Sequence, residues 1–289
     1  MGIMRRAEFW SADRDGNVRC ELCPHYCVIE GDSAGVCGVR GNRGGELFAA
    51  SYGQISSIAL DPIEKKPLAL FRPGRLVLSI GSFGCNFSCP FCQNFEISKE
   101  YRRRRHTAQV FTPGDIVMLA ERKTPDGNIG VAYTYNEPLI GYEFVRDTAR
   151  LVREAGLNNV VVTNGYINKE PLDALLPFID AMNIDLKAYS TGFYRKIGGD
   201  LDTVKQTIVR AHGVCHVEVT MLVIPGENED YTADMVKWLS GIDPDIPLHL
   251  SRFFPRYRYA DREPTDLRSL NRLGEMAMDC LRHVFIGNV

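Results

Sequence analysis

The sequence lacks the features that would direct it to a membrane or to nucleic acid. Its 289 residues contain no apolar stretch of 18 residues, and the first residues, MGIMRRAEFWSADRDG, do not have the pattern of a signal peptide. The 34 basic and 36 acidic side chains leave a net charge of −2, which gives no whole-protein reason to expect either partner. Internal repeats and low-complexity tracts are also lacking. We therefore expect a globular, cytoplasmic protein.

Cysteine, by contrast, is abundant and unevenly distributed. Of the nine cysteines, seven lie in the first 92 residues, in two groups. Because stable disulfides are rare in the cytoplasm, these groups predict metal binding or redox chemistry. The remaining two, Cys215 and Cys280, stand alone in apolar patterns and are expected to be buried structural thiols.

The second cysteine group carries the strongest functional signal. Cys85, Cys89 and Cys92 are spaced C-x3-C-x2-C directly after the apolar run LVLSI. Thiolates so close in sequence cannot meet one metal ion from a regular helix or strand, but a loop wrapped around a cluster can present them. Since a 4Fe–4S cluster normally has four cysteine ligands, three of them leave one iron open for chemistry. We predict that the three are catalytic metal ligands, with a structural zinc loop as the alternative.

The first cysteine group has the pattern of a closed metal site. Cys20, Cys23, Cys27 and Cys37 are spaced C-x2-C-x3-C-x9-C, and four thiolates can bind either zinc or an additional Fe–S cluster. The sequence does not distinguish these two metals. His25 is an alternative ligand, although we expect it to be part of the flanking loop. Four protein ligands leave no open position, so the expected role is structural or electron relay.

The periodicity of the remaining chain predicts an α/β fold. From Leu76 onward, apolar strand-like runs alternate with helical patterns, which implies a parallel sheet with about six βα units. Predicted strands lie at 76–80, 128–134, 158–164, 180–187, 215–224 and 247–253 and in the final HVFIG. Predicted helices begin at Thr112-Pro113, or span 138–155, 169–177, 200–213, 230–240 and 266–282.

Three segments are expected along the chain. Residues 1–45 form a Cys-rich metal-binding knuckle, and residues 46–75 supply short strands and turns that lead into the main domain. Residues 76–289 form the α/β domain.

Polar side chains stand where three successive strands are predicted to end. Glu137 precedes Pro138, Thr163 and Asn164 end the run VVVTNGY, and Asp185 and Lys187 end NIDLKAY. The carboxyl ends of parallel strands gather at one edge, where such folds place their ligand sites. Ordinary turn chemistry and a helix-start acid are the structural alternatives.

The cysteine triplet, with Phe91 before its last member, resembles the radical S-adenosylmethionine (SAM) superfamily. The resemblance implies a partial (βα)6 TIM-type barrel. It also implies that SAM binds the open iron through its amino and carboxylate groups and is cleaved reductively to a 5'-deoxyadenosyl radical. An electron donor such as ferredoxin or flavodoxin is then expected as a partner.

Further motifs resemble the glycyl-radical-enzyme activases, such as pyruvate formate-lyase activase. The segments TNG and DLK match those enzymes, and CELCPHYC with CGVRGN is similar to the AmmeMemoRadiSam subgroup. The resemblance implies that Glu137 binds the SAM amino group and that Lys187 pairs with the SAM carboxylate. Thr163, Asn164 and Asp185 would complete the pocket, and the substrate would be a protein glycine. The subgroup often continues past its last strand, so the sequence is expected to be short-tailed or truncated.

The sequence departs from the activase pattern at several positions. Tyr135 and Asn136 replace two glycines of the usual Gly-Gly-Glu-Pro, and Val162 replaces an acid. Arg256 follows Pro255 where those activases have Pro-Tyr followed by a histidine. His249 is expected to be a satisfied interior residue. Arg252 and Arg256 either grip SAM or an acidic substrate, or lie on the surface.

Two other functions remain open. A zinc or Fe–S adaptor would bind metal without turning SAM over. A radical enzyme acting on a small molecule or nucleic acid would use the arginine run at 102–105 to guide its substrate. The alternatives for this run are a solvated connection and a docking patch for an acidic partner protein. Nucleic acid is the weaker partner, because the run lacks interleaved aromatic residues.

Overall fold

A computed structural model describes residues 4–100 and 108–289 of the chain. The arginine run at 102–105 lies outside these residues, so none of the three hypotheses about it is tested. In the described part, no helix is long and apolar enough to cross a bilayer.

The centre of the fold is an eight-stranded sheet in which seven strands run parallel. Its order is β8-β9-β11-β12-β13-β14-β15-β16, and only β8 runs antiparallel to its neighbour. Its strands are β8 (Ser57–Pro62), β9 (Leu76–Gly81), β11 (Asn128–Tyr133), β12 (Asn158–Thr163), β13 (Ala181–Asp185), β14 (His216–Val223), β15 (Leu248–Arg252) and β16 (Val284–Gly287). The predicted fold class, α/β with a parallel sheet, is confirmed.

The amino-terminal residues form small antiparallel sheets beside this one. One has the order β1-β6-β5, another β2-β3-β4, and β7 pairs with β10. Their bounds are β1 (Arg5–Arg6), β2 (Trp10–Ala12), β3 (Val18–Cys20), β4 (Val28–Ile29), β5 (Arg40–Arg43), β6 (Glu46–Ala49), β7 (Gln54–Ile55) and β10 (Gln109–Val110).

Helices connect the parallel strands, as the alternating pattern predicts. Those described are α1 (Phe95–Ser98), α2 (Pro113–Arg122), α3 (Tyr142–Glu154), α4 (Lys169–Leu175), α5 (Thr191–Ile197), α6 (Leu201–His212), α7 (Thr232–Ile242) and α8 (Leu267–Met278). Short 3-10 turns lie at Ile63–Lys65, Thr124–Asp126, Pro138–Gly141, Leu176–Phe178, Glu229–Tyr231 and Tyr257–Tyr259.

Local signals explain where several helices begin and end. Thr112 caps α2 through a reciprocal pair of bonds with Asp115, as the Thr-Pro start predicts. The helix expected from Pro138 begins instead with a 3-10 turn and becomes α-helical at Tyr142. Helix α5 was not predicted, although its signals are in the sequence: a Ser190 cap and a left-handed Gly198 at its end.

The two solitary cysteines do not behave alike. Cys215 is half-buried just before β14, and burial raises the pKa of its thiol to about 12. Cys280 is exposed, so the prediction of a buried thiol is wrong at this position. The cause is the length of α8, which ends at Met278 rather than at 282.

A buried carboxylate ties β14 and β15 to the segment that precedes β9. Glu218 accepts hydrogen bonds from the backbone N–H groups of Ala69 (2.9 Å) and Leu70 (2.8 Å). It also contacts ring nitrogens of His216 (2.8 Å) and His249 (2.6 Å). His249 is therefore a satisfied interior residue, as predicted. Burial alone would raise the pKa of Glu218, but these bonds outweigh it and hold the pKa at about 2.

We expect Glu218→Gln to lower the free energy of unfolding by about 3 kcal/mol at neutral pH. An amide can replace only one of the two acceptor oxygens, and the backbone N–H groups of Ala69 and Leu70 cannot turn to accept a bond. The free energy of unfolding should be measured by urea denaturation. Because the pKa lies below the ordinary 4.5, the stabilisation should be complete above that pH and lost as the pH falls toward 2.

Glu154→Gln is the matched control, since its side chain is 62% exposed. It should change stability by less than about 0.5 kcal/mol. Equal effects of the two substitutions would contradict a structural role for Glu218.

Candidate active site

The cysteine triplet lies in a loop at the carboxyl end of β9. Cys89 is buried, whereas Cys85 and Cys92 are half-buried. Buried aromatic side chains anchor the loop: Phe87 packs on Tyr166, and Phe91 packs on Phe193. Apolar contacts thus fix the loop against the segments that follow β12 and β13.

The backbone of the loop is bonded to segments that follow two other strands. Ser88 N–H donates to the carbonyl of Ile197 (2.7 Å), and Arg258 N–H donates to the carbonyl of Pro90 (3.0 Å). These bonds connect the cysteines to the connections after β13 and β15. The triplet is therefore positioned by the sheet rather than by its own loop alone.

Asparagine side chains hold the same loop from within and from the strand ends. Asn136 accepts from Ser82 N–H (2.8 Å) and donates to the Gly84 carbonyl (3.1 Å). Asn164 donates to Asn86 (2.8 Å) and lies 3.8 Å from the Cys85 sulfur. The departure noted at Asn136 thus has a structural role, because its amide binds the cysteine loop directly.

Two further asparagines support the loop, and no sequence pattern predicts either of them. Asn86 donates to the Tyr166 carbonyl (2.8 Å), and Asn94 donates to the Tyr135 carbonyl (2.7 Å). Both lie inside or beside the triplet. Their amides can both donate and accept hydrogen bonds, which suits an irregular loop whose backbone groups lack partners in a helix or strand. Tyr135 itself has a left-handed backbone, φ 71°, at a position where glycine would be relaxed.

Glu137 joins the carboxyl ends of β11 and β12. One carboxylate oxygen accepts from Leu139 N–H (3.0 Å) and the Thr163 hydroxyl (2.7 Å), and the other accepts from Asn164 N–H (2.8 Å). The side chain is only 3% exposed, and burial raises its pKa to about 7 despite these bonds. A carboxylate offers about four acceptor positions, so one remains for another donor.

Lys187 and Asp185 form an ion pair at the end of β13. The ammonium lies 3.0 Å from the carboxylate and is 17% exposed on its side chain. Burial opposes the charge on Lys187, but Asp185 and the Cys89 thiol outweigh it and hold the pKa of Lys187 above its ordinary value. A positive charge therefore stands between the cysteine loop and the strand ends.

Asn228 fixes this end of the sheet and was also missed. Its amide donates to the carbonyls of Lys187 and Leu222, both at 2.7 Å, and accepts from Ile224 N–H at 2.7 Å. It lies two residues after Gly226, in the turn that follows β14. Through these bonds β13 and β14 end in register beside the lysine.

Arg252, the last residue of β15, and Arg256, which follows the strand, are held differently from Lys187. Arg252 donates to the Thr265 carbonyl (2.8 Å) and covers the ring of Phe254, and Arg256 is exposed. The surface alternative therefore describes Arg256 in this structure. Tyr257, in contrast, stacks on Phe95 beside the cysteine loop, with ring centroids 4.6 Å apart.

The triplet suits a cluster better than a single ion. In the described part of the chain, no three His, Cys, Asp or Glu side chains converge on a position for one metal ion. In a 4Fe–4S cluster each thiolate binds a different iron, so convergence on one point is not required. Burial raises the pKa of Cys89 to about 11, and the Lys187 charge partly offsets this and favours the thiolate that a metal needs.

The amino-terminal cysteine group lies against the triplet loop. His25 shares a hydrogen bond with the Asn86 carbonyl at 2.8 Å, which identifies it as a contact of that loop. Gly84, with φ +85°, lies so close to Cys37 that an added Cβ would stand 2.6 Å from the Cys37 carbonyl oxygen. The two cysteine groups are thus neighbours through their backbones.

We expect Gly84→Ala to destabilise the protein by more than about 2 kcal/mol, and Gly127→Ala by about 1–2 kcal/mol. Both glycines have positive φ, but a Cβ at Gly127 would meet no atom of the described residues within 4 Å. The difference between the two variants, measured by thermal unfolding, therefore reports the close contacts around Gly84, which are the Cys37 carbonyl and the side chains of Val39 and Ile140. Equal destabilisation would mean that these neighbours move aside at little cost.

Comparison with known proteins gives a consistent result. A family model described as the radical SAM superfamily matches residues 79–239. An uncharacterized protein, MJ0808, of Methanocaldococcus jannaschii is 40% identical and covers 99% of this chain and 86% of its own length. The pyruvate formate-lyase 1-activating enzyme of Escherichia coli is 24% identical over 51% of this chain and 61% of its own.

A solved structure agrees in fold. The crystal structure of QueE from Escherichia coli matches 83% of this chain and 94% of its own, with a TM-score of 0.53 and 13% identity. At this identity the likeness concerns the fold alone.

Proposed function

Because the chain belongs to the radical SAM superfamily, we propose that it cleaves SAM reductively at a 4Fe–4S cluster held by Cys85, Cys89 and Cys92. When bound, such a cluster supplies one electron to the SAM sulfonium, which releases methionine and a 5'-deoxyadenosyl radical that takes hydrogen from a substrate. The observation that carries the proposal is the arrangement of the cysteine loop against the polar ends of β11, β12 and β13.

Each strand end has a proposed part in binding SAM. Lys187 pairs with the SAM carboxylate, since its ammonium is held at the strand end and carries a full charge. Glu137 accepts from the SAM amino group with its remaining acceptor position and positions Thr163 and Asn164 through its other bonds. Asp185 orients Lys187.

The proposed substrate class is a protein, with a backbone glycine as the hydrogen donor. The support is the similarity to a protein named as a pyruvate formate-lyase activating enzyme and the TNG and DLK segments. A low-potential donor such as ferredoxin or flavodoxin is the proposed reductant.

An anaerobic assay tests the reaction. Protein reconstituted with iron and sulfide is reduced with dithionite and given SAM, and 5'-deoxyadenosine and the EPR spectrum are measured. We expect 5'-deoxyadenosine together with a change in the spectrum on adding SAM. An intact cluster without product or spectral change favours the second candidate, a zinc or Fe–S adaptor, for which the four additional cysteines are the motivating observation.

A labelling experiment tests the substrate class. The enzyme is incubated with size-separated extracts of cells grown on α-deuterated glycine, and deuterium in 5'-deoxyadenosine is measured by mass spectrometry. Deuterium should come from the macromolecular fraction. Transfer from the small-molecule fraction alone would exclude a protein substrate and leave the SAM reaction intact.

We also propose the segmental division of the chain. Residues 1–45 form a metal-binding unit on Cys20, Cys23, Cys27 and Cys37 that takes zinc or a second Fe–S cluster. Residues 46–75 lead into the catalytic domain, residues 76–289.

A further inference from the structure

The amino-terminal cysteines surround a cavity of their own. Cys20 ends β3, Cys27 precedes β4 and Cys37 precedes β5, while Cys23 lies in the turn between the first two. All four line one cavity, together with His25, Gly35, Arg40 and three apolar residues. The apolar residues are Leu22, Ile29 and Ile140. The cavity therefore offers sulfur ligands in dry surroundings.

Backbone amides point at these sulfurs. Val36 N–H lies 3.5 Å from the Cys27 sulfur, and amides that follow Cys23 and Cys37 in the chain also donate to their thiols. Gly35 allows a close approach, because a Cβ there would lie 3.2 Å from the Cys27 sulfur. Burial raises the pKa of the Cys23, Cys27 and Cys37 thiols, and these backbone donors partly oppose that effect by favouring the thiolate, the form in which cysteine binds metal.

A buried guanidinium provides the second, independent observation. Arg40 lines the cavity and is 1% exposed. Its terminal nitrogens are bound: one to both Glu143 oxygens at 3.0 and 2.9 Å, the other to the Glu8 carbonyl at 2.6 Å. Its Nε has no hydrogen-bond partner among the residues that the structure describes. A buried donor without an acceptor is costly, so a bound group in the cavity is the expected acceptor.

The arrangement distinguishes the two metals. Zinc requires four sulfurs at about 2.3 Å from a single point. In the described residues no such convergence of three or more ligands occurs. Four thiolates spaced around a cavity instead match a cluster in which each binds its own iron.

We propose that Cys20, Cys23, Cys27 and Cys37 bind a second 4Fe–4S cluster, toward which Arg40 Nε donates a hydrogen bond. With four protein ligands the cluster has no open iron and does not bind SAM. The site does not depend on the proposed reaction at the triplet, so either assignment can fail alone.

Metal analysis of two variants tests the proposal. One replaces Cys85, Cys89 and Cys92 by Ala, and the other replaces Cys20, Cys23, Cys27 and Cys37 by Ala. Iron, acid-labile sulfide and zinc are counted per chain, both as purified anaerobically and after reconstitution. We expect about eight irons in the natural protein and about four in the triplet variant. The EPR signal of the reduced triplet variant should not respond to SAM.

Zinc in stoichiometric amount without sulfide in the triplet variant would overturn the proposal, and so would an absence of metal from a folded variant. Because the quartet variant could fail to fold, Cys37→Ser provides a milder test. Serine oxygen in place of sulfur should alter the EPR signal of the triplet variant while circular dichroism stays unchanged. An unaltered signal would remove Cys37 from the ligand set.

Discussion

Replacing Cys89 by Ala should reduce 5'-deoxyadenosine formation by more than about 100-fold, since losses of 10–100-fold arise even from partners outside the ligand shell. Cys89 is the buried member of the triplet and is the one whose thiol is close enough to Lys187 to affect its pKa. Its loss removes a ligand from the middle of the loop, so a bound cluster would have only two protein ligands there. Product is measured by chromatography after a fixed time with dithionite and SAM.

Cys280→Ala is the matched control for this prediction. It makes the same chemical change at an exposed thiol after α8. Its product formation should equal that of the natural protein, and its iron content should be unchanged. Normal 5'-deoxyadenosine formation by the Cys89 variant would contradict the assignment of the triplet as cluster ligands. Equal losses of product in both variants would indicate a general effect of cysteine replacement.

Much of the fold could be predicted because its elements are strongly periodic. The strands 128–134 and 158–164 and the helix at Thr112-Pro113 follow from apolar runs, caps and glycine stops, which are local in sequence. Helix α5 was overlooked because it has only seven residues, too few for a clear period. The end of α8 was placed too late for a different reason: apolar residues continue past Met278, so the helical pattern does not stop where the helix does.

The sequence predicts the cysteines and the charged residues of the candidate site, but not the asparagines that hold them in place. The spacing of the cysteines and the acids and bases at strand ends can be read directly from the sequence. The roles of Asn86 and Asn228 depend on carbonyl groups that are 80 residues away, at Tyr166, or 41 residues away, at Lys187. Such long-range bonds leave no local pattern, because asparagine is also an ordinary turn residue.

Replacing Glu137 by Gln should lower SAM turnover by about 100-fold, the effect expected when a reactive site is displaced by about 1 Å. Both carboxylate oxygens accept hydrogen bonds, one from Leu139 N–H and the other from Asn164 N–H. Glutamine has a single acceptor oxygen, so its amide must face one of these buried N–H groups and push it away. If Asn164 moves, its bond to Asn86 in the cysteine loop is disturbed as well.

The measurement that separates this effect from simple unfolding is iron content alongside turnover. Glu137→Gln should keep its secondary structure and bind iron, yet show a changed EPR response to SAM, because the predicted fault lies in the alignment of β12 with the cysteine loop. Glu154→Gln, exposed on α3, should match the natural protein in both respects. Full turnover by the Glu137 variant would mean that the strand ends are held in place without this carboxylate, and that its three hydrogen bonds serve stability rather than the site.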